Sequence, residues 1–414
     1  MSINSVSRPS LLSQLLQVPV IVAALGYLVD MYDLFLFSVV RVPSLKSLNV
    51  PDAQLLTEGI TLLNFQMAGM LVGGVLWGII ADKKGRLSVL FGSIIMYSLA
   101  NIANGFVTSL DQYAILRFIA GVGLAGELGA GITLVIEVLP KEIRGYGATL
   151  VATLGVLGAI LAYFVADLFA WRISYFVGGG MGLLLLVLRF NVFESGIFHK
   201  VKEETVDRGN VMMILTNWKR LSKYLMAILI GLPIWFVVGI LITFSPEFGI
   251  AKGIENINAG KAVMLAFSGQ VFGDIFSGLL SQYLKSRKKV IGIFIILSLA
   301  MVIGYLLIPM TDLFSFYVIC ALLGFCNGYW TLFITIAAEL FGTNLRATVA
   351  TTVPNFVRGA TIPLAAIFVQ FKPDLGVIQS ALVIGIATSF VALVALYFLE
   401  ETFTKDMDFV EKED

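Results

Sequence analysis

The chain has 414 residues, of which 58% are hydrophobic and only 13% are charged, and its mean hydropathy is +0.93. So few charges cannot cover a water-exposed surface, which excludes an ordinary soluble domain and indicates a protein that crosses the membrane many times. The net charge of +1 offers no basic surface for nucleic acid, and a single histidine, His199, supplies no metal or catalytic site, so we predict neither an enzyme nor a cofactor.

Apolar stretches of about 20 residues recur along the chain, and each is long enough to cross a bilayer as a helix. We predict twelve spans, at 19–42, 59–80, 87–107, 112–135, 146–168, 172–191, 223–244, 260–283, 290–310, 314–337, 347–369 and 376–399. The links alternate in charge: "DKKGR", "PKEIRG" and "KSRKK" are basic, whereas "GFVTSLDQY" and "MTDLFSF" are nearly free of Lys and Arg. Because basic links stay in the cytoplasm, we expect a multi-pass protein of the plasma or inner membrane with both termini cytoplasmic.

Span 1 carries two acids, Asp30 and Asp33, within "LVDMYDLFLF". A carboxylate near the bilayer centre costs roughly 2.5–3.5 kcal/mol. The helical rise places Arg117 of span 4 within reach of Asp33, and Glu127 at a similar depth. Since three acids facing one arginine cannot all be ionised comfortably, we predict that Asp33 pairs with Arg117 and that another of the acids holds and releases a coupling proton. Asp30, Asp33, Glu127 and Arg117 are thus the predicted proton-coupling residues. The alternative is a fixed ion pair that only orients helices.

The stretch "GVGLAG", Gly121 to Gly126, matches the pattern GxGxxG. A dinucleotide site needs a preceding strand and a helix N-terminus facing the pyrophosphate. These glycines lie inside a predicted span, so we favour close helix packing instead.

The longest link, 192–222, divides the chain into two six-span halves, 1–191 and 223–414. Its last part places apolar side chains on one helical face with Lys219 and Arg220 off it, which predicts an amphipathic helix on the membrane surface. The halves also echo each other, since "IEVLPKEIRG" and "AELFGTNLRA" keep a Glu and an Arg at the same spacing. Repeated six-helix bundles are a common design of transporters, with the substrate site between them.

The deep ionisable residues of the second half are Asp274 in span 8 and Arg358 in span 11. Their depths differ by about 5 Å. Either they neutralise each other, or Arg358 is left to hold a substrate carboxylate through two hydrogen bonds, and we favour the second alternative. Neutral substrate contacts are predicted from Gln270, Asn327, Trp330, Asn355 and Tyr163.

Several motifs resemble the major facilitator superfamily. "GIIADKKGRLSVL" between spans 2 and 3 is similar to its best-known signature, and "RFIAGVGLAGELGAG" is similar to a second one. "EVLPKEIRG", "FESGIF" and "EETFTKDMD" resemble its sugar-porter-like branch, and "DMYDLFLF" resembles the first helix of metabolite–proton symporters. The second-half copy of the first signature departs at Gln282, and span 7 lacks the Gln and Asn pattern of hexose porters, which argues against a sugar.

The resemblance also implies an inner gate at the cytoplasmic helix ends, because carboxylates can interact there with helix termini. The alternative is that these charges set only topology and solvation. The predicted gating residues are Gly78, Asp82, Gly85, Arg86, Glu137, Arg144, Glu339 and Arg346.

The sequence thus predicts an all-α membrane protein with twelve transmembrane helices in two six-helix bundles. The predicted function is alternating-access transport, with proton-coupled uptake of a small organic acid or zwitterion by a monomer in the lipid bilayer. A polyspecific proton-driven exporter is the alternative within the same class. A non-transporting membrane receptor is the alternative from a different class.

Overall fold

The computed structural model describes residues 11–140, 143–193, 212–342, 344–403 and 411, and all regular structure in these ranges is helical. Ten helical ranges are long and apolar enough to cross a membrane. One of them, Thr348–Phe398, holds two spans, because the helix is interrupted at Gly376, whose φ is +76°. A further apolar helix, Ser88–Asn104, is shorter. The described residues therefore contain the twelve predicted spans, and the predicted fold class is confirmed.

The spans keep their predicted order. In the first half they are the helices Val18–Ser47, Leu55–Lys84, Arg86–Asn104, Leu110–Leu124 with Glu127–Val138, Arg144–Leu168 and Trp171–Phe193. In the second half, spans 7 to 10 are Trp218–Phe236 with Val237–Ile242 and Ser245–Ala251, Ala259–Leu284, Arg287–Leu307, and Leu313–Cys326 with Trp330–Glu339. Span 11 consists of Arg346–Gly359 and the part of the helix Thr361–Phe398 before Gly376, and span 12 is the part of that helix after Gly376.

Short helices precede spans 1, 2 and 7, at Leu11–Leu15, Asp52–Gln54 and Met212–Thr216. Span 7 already begins at Trp218, so the predicted surface helix is shorter than expected and ends at the break at Asn217. The side chain of Asn217 accepts hydrogen bonds from the backbone N–H groups of Lys219 and Arg220, which caps span 7. Residues 194–211 of the predicted linker lie outside the described residues.

Spans 4 and 10 are each interrupted at a corresponding place. Span 4 breaks between Leu124 and Glu127, and span 10 breaks between Cys326 and Trp330. A serine of the preceding span bonds to each interruption: the Ser93 hydroxyl donates to Glu127 (3.2 Å), and the Ser298 hydroxyl donates to Asn327 (3.0 Å). This correspondence is what two structurally repeated halves would show.

Glycines let spans 2 and 4 pack backbone against backbone. A Cβ on Gly121 would collide with the carbonyl oxygen of Gln66, and a Cβ on Gly69 would collide with that of Phe118. The second half repeats this arrangement between spans 8 and 10, where Gly324 meets the carbonyl of Ala266. The GxGxxG match is therefore a packing motif, as predicted.

The two halves are joined at the end of the bundle opposite the basic links, called the outer end below. Arg41 of span 1, which is fully buried, donates both terminal nitrogens to the carboxylate of Glu247, each at 2.7 Å. Its guanidinium also lies 4.5 Å from the ring centre of Phe244. Next to it the hydroxyls of Ser38 and Thr243 are 3.0 Å apart. We call these residues the outer latch.

At the other end, span 11 packs against small residues of the first half. The side-chain amide of Asn355 donates to the carbonyl of Ala125, in the interruption of span 4, at 2.8 Å. A Cβ on Gly74 would lie 3.0 Å from the Cβ of Asn355, and one on Gly78 would lie 3.5 Å from the methyl of Thr352. We call this contact the inner seam. The described residues thus bring the two halves into contact at both ends.

The first prediction tests the backbone packing. Gly121→Ala should lower the free energy of unfolding by about 1–3 kcal/mol, because a methyl group has no space against a carbonyl oxygen. Thermal unfolding in detergent measures the loss. Gly180→Ala is the matched control, since no heavy atom lies within 4 Å of its added Cβ. Equal effects of the two changes would contradict the packing interpretation.

The second prediction concerns the outer latch. Glu247→Gln leaves the buried Arg41 charge without its partner, which should cost about 3–5 kcal/mol. It should also increase labelling of Ala166→Cys, a position lining a cavity at the outer end, by a membrane-impermeant maleimide. Asp52→Asn is the control: it breaks the exposed pair Lys46–Asp52 (2.9 Å), and exposed pairs contribute about 0–1 kcal/mol. Unchanged labelling in Glu247→Gln would show that this pair does not hold the outer end shut.

Candidate functional site

A small cavity lies between the two halves and is lined by residues of both. Its walls are mostly apolar and aromatic, and Arg358 supplies its only charge. It is lined by Met31, Phe35, Ile234, Trp235, Val238, Phe267, Gln270, Trp330 and Arg358. Trp235 and Val238 flank the point where span 7 changes from an α-helix to the π-helix Val237–Ile242, and such local changes are frequent at functional sites.

Arg358 is the chemically distinctive group of this cavity. It is 1% exposed, and its Nη1 donates to the side-chain oxygen of Asn355 at 3.3 Å. Its Nε and Nη2 have no hydrogen-bond partner. The ring centres of Trp235 and Trp330 each lie 5.7 Å from the guanidinium carbon. The unused Nε–Nη2 edge presents two parallel N–H groups, which match the two oxygens of a carboxylate.

Asp274 lies nearby in span 8 but makes no ion pair with Arg358 among the described residues. One of its oxygens accepts the backbone N–H of Thr331 at 3.1 Å, at the interruption of span 10. Its other oxygen is buried without a partner. Of the two predicted alternatives, the geometry favours the one in which Arg358 stays available to an anion.

The other predicted substrate contacts divide into two groups. Gln270 and Trp330 line the cavity with Arg358. Asn355 has no side-chain donor to spare, because its amide nitrogen donates to the carbonyls of Ala125 and Thr351, both at 2.8 Å. The side-chain oxygen of Asn327 accepts the Ser298 hydroxyl, and Asn327 does not line the cavity. Tyr163 lines a separate cavity at the outer end, since it lies only about one turn from the end of span 5.

The predicted ion pair between Asp33 and Arg117 is absent from the described structure. Arg117 instead donates to the side-chain oxygen of Gln66 and to the hydroxyl of Tyr175 (3.3 Å), and it lies 4.5 Å from the ring centre of Phe37. Neutral acceptors from spans 2 and 6 therefore surround this cation. Asp30 and Asp33 are fully buried, and none of their four carboxyl oxygens has a hydrogen-bond partner.

Glu127 has a partner that the sequence analysis missed. Arg189 of span 6 donates to both of its oxygens, and both side chains are essentially buried. A signal was present, because Arg189 is a cation inside the predicted apolar span 172–191. Arg41 was missed in the same way at the end of span 1. Glu127 thus forms a neutral buried pair of its own within the first half.

Asp30 and Arg358 face each other across the interface between the halves. Arg358 acts electrostatically on Asp30 and on Tyr27, one turn before it. The indole N–H of Trp330 donates to the hydroxyl of Tyr27 at 3.1 Å. The predicted proton-carrying and substrate-binding groups are therefore neighbours in the closed structure.

The structure describes the side-chain surroundings of only some of the predicted gating residues. Gly85 joins spans 2 and 3 with φ of +90°, a conformation that favours glycine, and Gly78 lies in the inner seam. Glu339 accepts from Arg287 at 2.6 Å, and Arg346 donates to the carbonyl of Ala338 at 3.2 Å. The structure does not describe the side chains of Asp82, Arg86, Glu137 and Arg144. The gating role stays a prediction.

Comparison with known proteins relates both the sequence and the fold to characterised families. A sequence model of the Major Facilitator Superfamily matches residues 23–366. The niacin transporter of Acinetobacter baylyi is 26% identical over 79% of this chain and 80% of its own length. A benzoate transport protein of the same organism is 31% identical over 45% of this chain and 42% of its own.

A solved structure shares the fold. The proton:xylose symporter XylE, bound to 6-bromo-6-deoxy-D-glucose, superposes with a TM-score of 0.70 over 93% of this chain and 96% of that one, at 16% identity. At this identity the likeness concerns the fold alone. The family match covers most of the chain and agrees with its twelve spans and two bundles. The chain therefore belongs to the major facilitator superfamily, and it is a multi-pass integral membrane transporter of small molecules rather than an enzyme.

Proposed function

We propose that the protein is a proton-coupled symporter that imports a small, planar organic acid or zwitterion. The observation that carries this proposal is the unused Nε–Nη2 edge of Arg358, buried between two tryptophans in a cavity at the interface of the halves. A buried cation with free donors is costly unless an anion completes its hydrogen bonds. The substrate carboxylate is that anion.

The rest of the cavity suits a flat, mostly apolar body. With its carboxylate on Arg358, a ring would lie beside Trp235 and Trp330, and Gln270 offers one neutral hydrogen bond. The unpartnered oxygen of Asp274 could accept a donor from a zwitterion. The named substrates of two relatives, niacin and benzoate, are aromatic carboxylic acids, which supports the same class. A sugar, which needs many hydrogen bonds, finds few partners here.

The buried acids of span 1 supply the coupling. When Asp30 is ionised, it competes with the substrate carboxylate for the charge of Arg358. When Asp30 is protonated, Arg358 keeps a full positive charge for the anion. Proton binding and substrate binding therefore favour each other, and the loaded site carries less net charge through the low-dielectric interior. Asp33, also without partners, is the second proton acceptor.

The cycle alternates between opening the outer latch and opening the inner seam around this fixed site. The protein works as a monomer in the cytoplasmic membrane with both termini inside, as the basic links favour. A polyspecific exporter would show drug efflux from loaded vesicles, and a receptor would bind the ligand without moving it, so vesicle flux assays separate both alternatives from uptake.

The third prediction tests the role of Arg358. Nicotinate should raise the unfolding temperature of the purified protein, whereas the neutral analogue nicotinamide should raise it much less. Arg358→Lys should weaken nicotinate binding roughly tenfold or more, because lysine keeps the charge but loses the parallel N–H pair. Arg172→Lys is the control, since Arg172 donates to the backbone carbonyls of Gly105 and Val107 and does not line the cavity. Equal stabilisation by the two ligands would exclude carboxylate recognition.

The fourth prediction tests proton coupling. Nicotinate accumulation in proteoliposomes should require an inward proton gradient and collapse with a protonophore. Asp33→Asn should abolish accumulation, because the amide cannot carry the proton, yet it should leave nicotinate exchange between equal pools measurable. Uptake that does not depend on the proton gradient would contradict symport and indicate a uniporter. Because Asp33 lacks hydrogen bonds, the change should not lower the unfolding temperature.

A further inference from the structure

Span 3 carries a file of polar side chains through the interior of the first half. Tyr97, Ser98, Asn101 and Asn104 are all 0% exposed. The tyrosine and serine hydroxyls and all four side-chain amide atoms of the two asparagines lack a hydrogen-bond partner. Ser98, Asn101 and Asn104 follow one another at intervals of three residues, so each step along the axis is about 4.5 Å.

This file reaches Asp33. The Asn101 amide lies close enough to the Asp33 carboxyl group to act on it, although no hydrogen bond joins the two side chains. Span 6 closes the other side: a Cβ on Gly178 would collide with a carboxyl oxygen of Asp33, and one on Gly182 would collide with the hydroxyl of Ser98. Asp33 therefore points between spans 3 and 6, and it is not among the residues that line the central cavity.

Buried amides and hydroxyls without partners are expensive, and proteins usually satisfy such groups with internal water. One water molecule can bridge two polar groups about 4.5 Å apart along a helix, since each of its hydrogen bonds is about 2.8 Å long. Successive waters would then form a continuous hydrogen-bonded chain. Asn104 is the last residue of span 3, directly before the outer link that begins at Gly105. The file thus runs from the outer end of the bundle to a carboxyl group.

We propose that Asn104 and Asn101 form a hydrated path through the outer part of the first half that delivers protons from the outer side to Asp33, separate from the substrate cavity, and that Ser98 continues this file one step further inward. This proposal rests on the proton coupling proposed above. It gives the two cargoes different routes: the substrate enters when the outer latch opens, whereas the proton does not need that opening.

The charges around Asp33 favour a proton over a metal cation. The groups facing it are Asp30 and Tyr32 on the same span, Arg117 of span 4, Tyr97 of span 3 and Tyr175 of span 6. Arg117 is a permanent cation, so a second fixed positive charge would be repelled here. A proton instead neutralises the carboxylate and adds no ion to the site.

The experiment replaces Asn101 and Asn104 by leucine, which has a similar volume and cannot relay a proton. In proteoliposomes, each change should lower proton-driven nicotinate uptake, and the accompanying acidification of an internal dye, at least tenfold. Nicotinate exchange at equal pH should keep its wild-type rate. The unfolding temperature should stay the same or rise, because unsatisfied polar groups are removed. Asn101→Ser should recover part of the uptake, since a hydroxyl can relay protons.

Thr388→Val in span 12 is the matched control, because it removes a buried hydroxyl that bonds only to its own helix. Parallel loss of uptake and exchange in the leucine variants, or unchanged uptake in both, overturns the path. Uptake driven by a Na⁺ gradient at constant pH and lost in these variants overturns its assignment to protons. If wild-type nicotinate accumulation proceeds without any proton dependence, the symport proposal itself fails, and this path, which rests on it, fails with it.

Discussion

The rest of the structure depends on one buried guanidinium, that of Arg358, in which two of the three nitrogens have no hydrogen-bond partner. Arg358 sits at the interface of two bundles, where desolvating a cation is costly and is repaid only by well-placed partners. Asn355 satisfies one nitrogen, and two tryptophan rings flank the group. The remaining edge faces a cavity. A site of this kind is incomplete without an anion, which gives binding energy to the one cargo that completes it.

Closure around that site uses different chemistry at its two ends. The outer latch is a buried ion pair supported by a cation–π contact and a hydroxyl pair. The inner seam instead brings glycines of span 2 against short polar side chains of span 11. Asn355 belongs to both the seam and the site, because it holds Arg358 through its oxygen and Ala125 through its nitrogen. Opening the seam would therefore remove a support of Arg358, and under the proposed function this would change the affinity of the site with the conformation.

In the first half, some buried charged side chains have partners and two buried acids have none. Glu127 is neutralised by Arg189, and Arg117 is surrounded by neutral acceptors and an aromatic face. Asp30 and Asp33 are left with no hydrogen bonds. Charges that are already neutralised hold helices together, whereas a carboxyl group with no fixed partner can bind and release a proton at small structural cost. The two kinds of acid in this bundle thus have different physical roles.

The sequence by itself determined the twelve spans, their order and the division into two halves, because hydropathy along a chain reports directly on the lipid environment of each helix. It also identified Arg358, Asp30 and Asp33 as unusual, since charges inside an apolar run are visible without a structure. Only the tertiary structure decided the partners. Glu127 bonds to Arg189 and not to Arg117, Asn355 bridges the halves, and Tyr163 lies at the outer end. These choices depend on the rotation and tilt of each helix, which are set by packing against neighbours rather than by depth along the chain.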